Sequence, residues 1–124
     1  MQFYNEIVLD HFKNPRNVGE IKDASGIGSV GNAACGDIME LHIKVKDNII
    51  VDAKFKTFGC AAAIATSSVL TELVKGKSIE DALKIKKNDI IKELKQLPSV
   101  KIHCSVLGVQ ALKKAIDNYL SKQK

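Results

Sequence analysis

Two runs of strict alternation, separated by a two-residue polar turn, constrain this chain more than any other feature. In IMELHIKV (38–45), Met39, Leu41, Ile43 and Val45 alternate with Glu40, His42 and Lys44. In IIVDAKFKT (49–57), Ile49, Val51, Ala53 and Phe55 alternate with Asp52, Lys54 and Lys56. Successive strand residues point to opposite faces, so the runs predict two strands sharing one apolar face, joined through Asp47 and Asn48 as an antiparallel hairpin. A sheet apolar on one side needs a cover.

The cover follows in the sequence, where the period changes from two to that of a helix. The stretch 61–76, AAAIATSSVLTELVKG, places Ile64, Leu70, Leu73 and Val74 at helical intervals and stops at Gly76. SIEDALKI (78–85) opens with Ser78 and Asp81 in capping-box spacing. NDIIKELKQL (88–97) predicts a helix capped by Asn88 and ended by Pro98. SVLGVQALKKAIDNYLSK (105–122) repeats Val109, Leu112, Ala115, Ile116, Tyr119 and Leu120 on one side. Ahead of the hairpin, 2–13 has helical spacing closed by Asn14 and Pro15, and a loop rich in Gly, Asn and Ala leaves room for one short strand near 27–32. The expected architecture is α+β: a small, about three-stranded antiparallel sheet with helices packed on one face. At 124 residues a second core is not expected, so 1–124 reads as one compact domain.

Three cysteines cannot all pair with one another, and none belongs to a Cys-x-x-Cys pair. All three fall at element boundaries. Cys35 precedes the hairpin in NAACGD, Cys60 sits where its second strand gives way to a helix, and Cys104 follows His103 where an extended segment after Pro98 gives way to the last helix. At a helix N-terminus, unpaired N–H groups and the helix dipole favour thiolate over thiol, the form that binds metal and attacks sulfur. Gly36 and Gly59, lacking Cβ, let backbone approach a bulky inorganic group. Tetrahedral zinc or a [2Fe–2S] cluster requires four protein ligands, and two further candidates stand beside the thiols: Asp37 and His103. A set with one carboxylate or imidazole holds its metal less tightly than four thiolates, which suits a protein that builds a cluster and releases it. Singly, each residue has an ordinary reading: a small buried thiol, a turn aspartate, a hydrogen-bonded histidine. His11 and His42 keep that reading. The joint pattern points to a metal site.

Charge narrows the alternatives. The net charge is +5 and the pI about 9.1, yet Arg16 is the only arginine, Trp is absent and the lysines are dispersed among acids. Base-stacking platforms are therefore scarce, and a solvated lysine-rich surface, not a nucleic-acid interface, is expected. No apolar run is long enough to span a bilayer, and the N-terminus carries acidic residues where a secretory signal would be basic. With unpaired thiols, this predicts a cytoplasmic protein.

The motifs YNEIVLDHFKNPRNVG, ACGDIM (34–39), FGCAAAIATSS (58–68), LTELVKGK (70–77) and LPSVKIHCSVL (97–107), in this order, resemble the IscU/NifU-type iron–sulfur cluster scaffold family from Tyr4 to about Ile116. The resemblance implies a protein that takes sulfur from a cysteine desulfurase, combines it with iron, holds a transient [2Fe–2S] cluster and passes it to apo-proteins, without turnover of a small molecule. It implies Cys35, Cys60 and Cys104 as cluster ligands, with Asp37 and His103 as the remaining site positions. Zinc can occupy the same ligands, Asp37 favours release, and the oligomeric state stays open. It also implies an Hsp70-type chaperone reading Leu97, Pro98, Ser99, Val100 and Lys101. Ser99 replaces the family's second proline, leaving that extended segment less pre-set. Ala61 replaces the family's glycine after the middle cysteine and favours helix more strongly. A zinc-dependent sulfurtransferase is the nearest alternative. That branch usually has an insertion between the second and third cysteines and lacks the histidine before the third; the short Cys60-to-Cys104 interval and His103 favour the scaffold. A structural zinc domain is the third reading.

Overall fold

The computed structural model describes residues 5–32, 37–58, 61–95 and 103–122. Its elements are α1 (Glu6–Lys13), β1 (Gly26–Asn32), β2 (Asp37–Lys46), β3 (Ile49–Phe58), α2 (Ala61–Val74), α3 (Ile79–Ala82), α4 (Lys87–Leu94) and α5 (His103–Lys122). The sheet is three-stranded and antiparallel, in the order β1-β2-β3. Asp47 and Asn48 both have positive φ, 52° and 65°, as a two-residue turn matched to strand twist requires.

Register assigns the faces. Gly26, Gly28 and Val30 stand opposite Ile43, Leu41 and Met39, and Ile43 and Leu41 stand opposite Ala53 and Phe55. All of these are buried, and α5 and α2 cover them. The expected alternation breaks in β3. A register shift between Lys44 and Val45 pairs Lys44 with Asp52 but Val45 with Ile50. Two residues on one strand thus oppose one on the other, as in a β-bulge. Ile50 is consequently buried in place of Ile49, and Val51 is 48% exposed.

The second face is not simply solvated. Residues 17–25 run from the outer edge of β3 across it to the start of β1. Asn17 and Gly19 bond to the Phe55 backbone, and Ser25 N–H donates to Ile43 O. Glu20 pairs with Lys56 and Asp23 with Lys44. Beneath this strap His42 is only 5% exposed.

The helices depart from expectation in four places. α2 is not one-sided: Ala63, Ala65, Thr66, Ser67, Ser68, Val69, Leu70, Thr71 and Val74 are all buried, because α1, α4, α5 and β3 surround it. α4 starts at Lys87, not after Asn88, since the Asp89 carboxylate accepts Lys86 N–H and closes the first turn earlier. α5 starts at His103, two residues before the apolar repeat predicted it. Leu120, expected in the core, is 41% exposed near the helix end. Ser78 accepts Asp81 N–H as predicted. No helix among the described residues is long and apolar enough to cross a membrane.

Candidate functional site

The strands end together. Asn32, closing β1, stands opposite Asp37, opening β2, and Ile38 stands opposite Phe58, closing β3. The chain between β1 and β2 carries Cys35, and the chain between β3 and α2 carries Cys60. Both connections leave from one edge of the sheet, and α2 begins three positions after β3 ends.

The last helix reaches the same edge from the other direction. Gly26 lies against Ala115 and Tyr119, and Gly28 against Ala111, Lys114 and Ala115. Ile27 N–H also donates to Asn118 Oδ1 at 3.0 Å. β1 therefore advances toward Asn32 as α5 is followed back toward His103. From Gly28 to Asn32 the strand rises about 13 Å, which a helix covers in about nine residues. Counting back from Ala111–Ala115 brings the first turn of α5 level with the end of β1. The N-termini of α2 and α5, a 14-residue and a 20-residue helix, thus both lie toward the same end of the sheet, α5 beside β1 and α2 after β3. Their unpaired N–H groups and positive dipole ends make that edge favourable for anions, thiolates included.

Of the predicted site residues, Asp37 is the first position of β2, and His103 and Cys104 are the first two of α5. Cys35 and Cys60 lie outside the described residues, as does the segment 97–101. Among the described residues no group of three His, Cys, Asp or Glu side chains is placed to hold a metal.

The other two histidines are structural. Ser68 Oγ accepts Arg16 N–H at 2.9 Å and lies 2.8 Å from His11 Nδ1. Burial first, and then the Arg16 charge, hold the His11 pKa below its ordinary value. Ile21 N–H donates to His42 Nδ1, so Nε2 carries the proton and donates to Glu40 Oε1 at 2.7 Å. Both ring nitrogens of His42 are therefore engaged, and His11 is held through Nδ1.

The sequence reading missed an apolar pair at the same edge. Phe58 and Ile38 are cross-strand neighbours on the strap-side face, 76% and 49% exposed. Both are out of phase with the core pattern: Ile38 continues the polar series of Glu40 and His42, and Phe58 that of Lys54 and Lys56. An apolar residue repeatedly on the polar register was the available signal.

Comparison with known proteins shows the family and the fold. The family model described as the NifU-like N terminal domain matches residues 3–124. The iron–sulfur cluster assembly scaffold protein IscU 1 of Archaeoglobus fulgidus is 59% identical over 119 residues, covering 96% of this chain and 78% of that protein. IscU of Haemophilus influenzae is 58% identical over 124 residues, covering 97% of this chain and 98% of that protein. The N-terminal part of a nitrogen-fixing NifU-like protein from Brucella abortus shares the fold, with a TM-score of 0.80 at 18% identity over 95% of this chain and 94% of that one. A match running from residue 3 to residue 124, joined to relatives more than half identical along almost all of it, means that this chain belongs to the NifU-like N-terminal domain family.

Proposed function

We propose that this chain is a single-domain scaffold on which a [2Fe–2S] cluster is built from iron and desulfurase-derived sulfur and then handed to apo-proteins. The cluster is cargo. One observation supports the reading: by the register Asn32–Asp37 and Ile38–Phe58, the strands that flank residues 33–36 and 59–60 end at the sheet edge that the first turn of α5 also reaches. Cys35, Cys60 and Cys104 supply thiolates, and Asp37 and His103 supply the mixed fourth position. Three thiolates with one harder ligand fit iron in a cluster, and also zinc, which would occupy the same residues when iron is scarce.

In this reading the chain contributes charge and position, without turnover of a small molecule. The N-termini of α2 and α5 stabilise anionic sulfur, whether thiolate, a persulfide received from the donor or bridging sulfide. Because strands of one sheet carry position 37 and end beside residues 33–36 and 59–60, the points from which those ligands extend keep fixed spacing while iron and sulfur arrive. The exposed pair Phe58 and Ile38 gives the desulfurase and the acceptor proteins an apolar foothold beside the cargo. A role that needs free thiols fits a reducing compartment, the cytoplasm. Segment 97–101 is the recognition point for an Hsp70-type chaperone, weakened by Ser99.

Anaerobic reconstitution with iron, cysteine and a desulfurase is expected to give the visible absorption of a [2Fe–2S] species and to activate an apo-ferredoxin. Cys35→Ser, Cys60→Ser and Cys104→Ser should each abolish stable assembly. Full assembly by all three variants would refute the proposal. Asp37→Ala is expected to lengthen cluster lifetime and slow transfer.

A further inference from the structure

The core face of β1 carries almost no side-chain volume. Its three inward positions are Gly26, Gly28 and Val30, standing opposite Ile43, Leu41 and Met39 of β2. The facing residues of α5, Ala111 and Ala115, are small and fully buried. Strand and helix therefore meet backbone to backbone. A Cβ on Gly28 would overlap the Ala111 carbonyl oxygen and the Ala115 amide nitrogen, and one on Gly26 would overlap the Ala115 carbonyl oxygen and stand 3.0 Å from Tyr119 Cβ. No side chain can rotate out of such a contact. The helix must move off the strand, or the strand away from the helix.

We infer that Gly28, with Gly26, is a positioning residue for the ligand set: its missing Cβ fixes how closely α5 lies on β1, and so where His103 and Cys104 stand relative to Asp37 at the sheet edge. This rests on the proposed scaffold function. Non-bonded carbon needs roughly 3.5–4.0 Å, so one added methyl would force a displacement of about 1 Å or more. Metal–ligand distances tolerate only about 0.2 Å. Since α5 carries two of the five candidate ligands and the strands and α2 approach the others, a shift between helix and sheet splits the set instead of moving it as a whole.

The test uses Co²⁺ as a spectroscopic probe, titrated anaerobically into the purified chain and read by its thiolate charge-transfer band. Gly28→Ala is expected to weaken Co²⁺ binding about 10–100-fold, as loss of an orienting partner does. In a background carrying His103→Ala and Cys104→Ser, Gly28→Ala should change affinity less than about threefold, because the ligands it positions are gone. In a Cys60→Ser background it should keep its whole effect. Gly108→Ala lies only four residues from Cys104, but its Cβ would meet Leu70 Cδ2 at 3.4 Å, an ordinary contact, and it should leave affinity unchanged. Equal losses in both backgrounds, a Gly108→Ala loss as large, or no loss at all would overturn the inference. If Gly28→Ala does not fold, Gly26→Ala, whose Cβ would meet the Ala115 carbonyl oxygen one turn farther along α5, is read the same way. A wild-type chain giving no thiolate band would count against the scaffold reading alone. Amide shifts of the metal-free protein then decide: perturbation by Gly28→Ala running to the first turn of α5 supports the positioning role, and perturbation confined to residues 111–119 overturns it.

Discussion

His11 is held by a hydroxyl that also fixes the chain after α1. Ser68 Oγ takes Arg16 N–H and His11 Nδ1 together, tying α1 to the buried helix α2. Burial and the nearby Arg16 charge lower the His11 pKa from its ordinary 6.5, while Asp10 and Glu72 act weakly in the opposite sense. The unfolded chain therefore binds a proton that the native chain resists. The stability this site contributes is complete above pH 6.5 and is lost as pH falls from there through the lowered value. Thermal unfolding followed between pH 7 and pH 5 should show a falling Tm, and His11→Gln should flatten that fall; an unchanged slope would contradict the assignment. Such a role is hard to read in advance, since a lone histidine in a helical repeat shows neither its burial nor its partner. His42 was similar. Its alternation assigned it correctly to the face away from the core, but the strap that buries it comes from a loop with no periodic pattern.

At the scale of elements, the hairpin shows how a local rule can be right and its register wrong. Alternation located both strands and their turn, yet it counted Ile49 and Val51 inward. The shift at Lys44 and Val45 reverses parity near the turn, burying Ile50 and exposing Val51. Bulges leave little trace in apolar pattern, because Ile49, Ile50 and Val51 are all apolar. Ile50→Ala should cost about 2–5 kcal/mol and Val51→Ala no more than about 0.5 kcal/mol, compared by urea unfolding. Similar losses for both would place the bulge elsewhere. α2 was legible as a helix but not as a central one. Three of its buried hydroxyls bond back to their own helix: Thr66 and Ser67 donate to Ala63 O at 3.1 and 2.8 Å, and Thr71 to Ser68 O at 2.7 Å. Satisfied this way, a Ser/Thr-rich face can be buried among apolar neighbours.

For the whole molecule, sheet, helices and their one-sided packing were legible because each follows from a period. The three boundary cysteines stand out in the sequence because none fits a period. The convergence of the strand ends and the first turn of α5 on one edge was not legible, since it depends on long-range register and on two glycines whose contribution is absent volume. The core, centred on Leu41, Phe55, Leu70, Ile90, Leu112 and Ile116, is continuous without any metal ligand. Chelation of a zinc-loaded sample should therefore leave helical circular dichroism intact at 25 °C. It should lower Tm by on the order of 10 °C, the effect of losing a ligand present at about a hundred times its dissociation constant. Collapse of the signal at 25 °C would instead assign the ion a structural role.

The strap has a mechanical consequence. A protease or translocase pulling from the N-terminus would first draw on α1 and residues 17–25, peeling away the outer clasp while the hairpin and α5 stayed paired. Traction from the C-terminus would slide α5 off the bare strand beneath it and dismantle the proposed cargo edge at once. The direction of pulling thus decides whether such a machine frays this protein or disarms it.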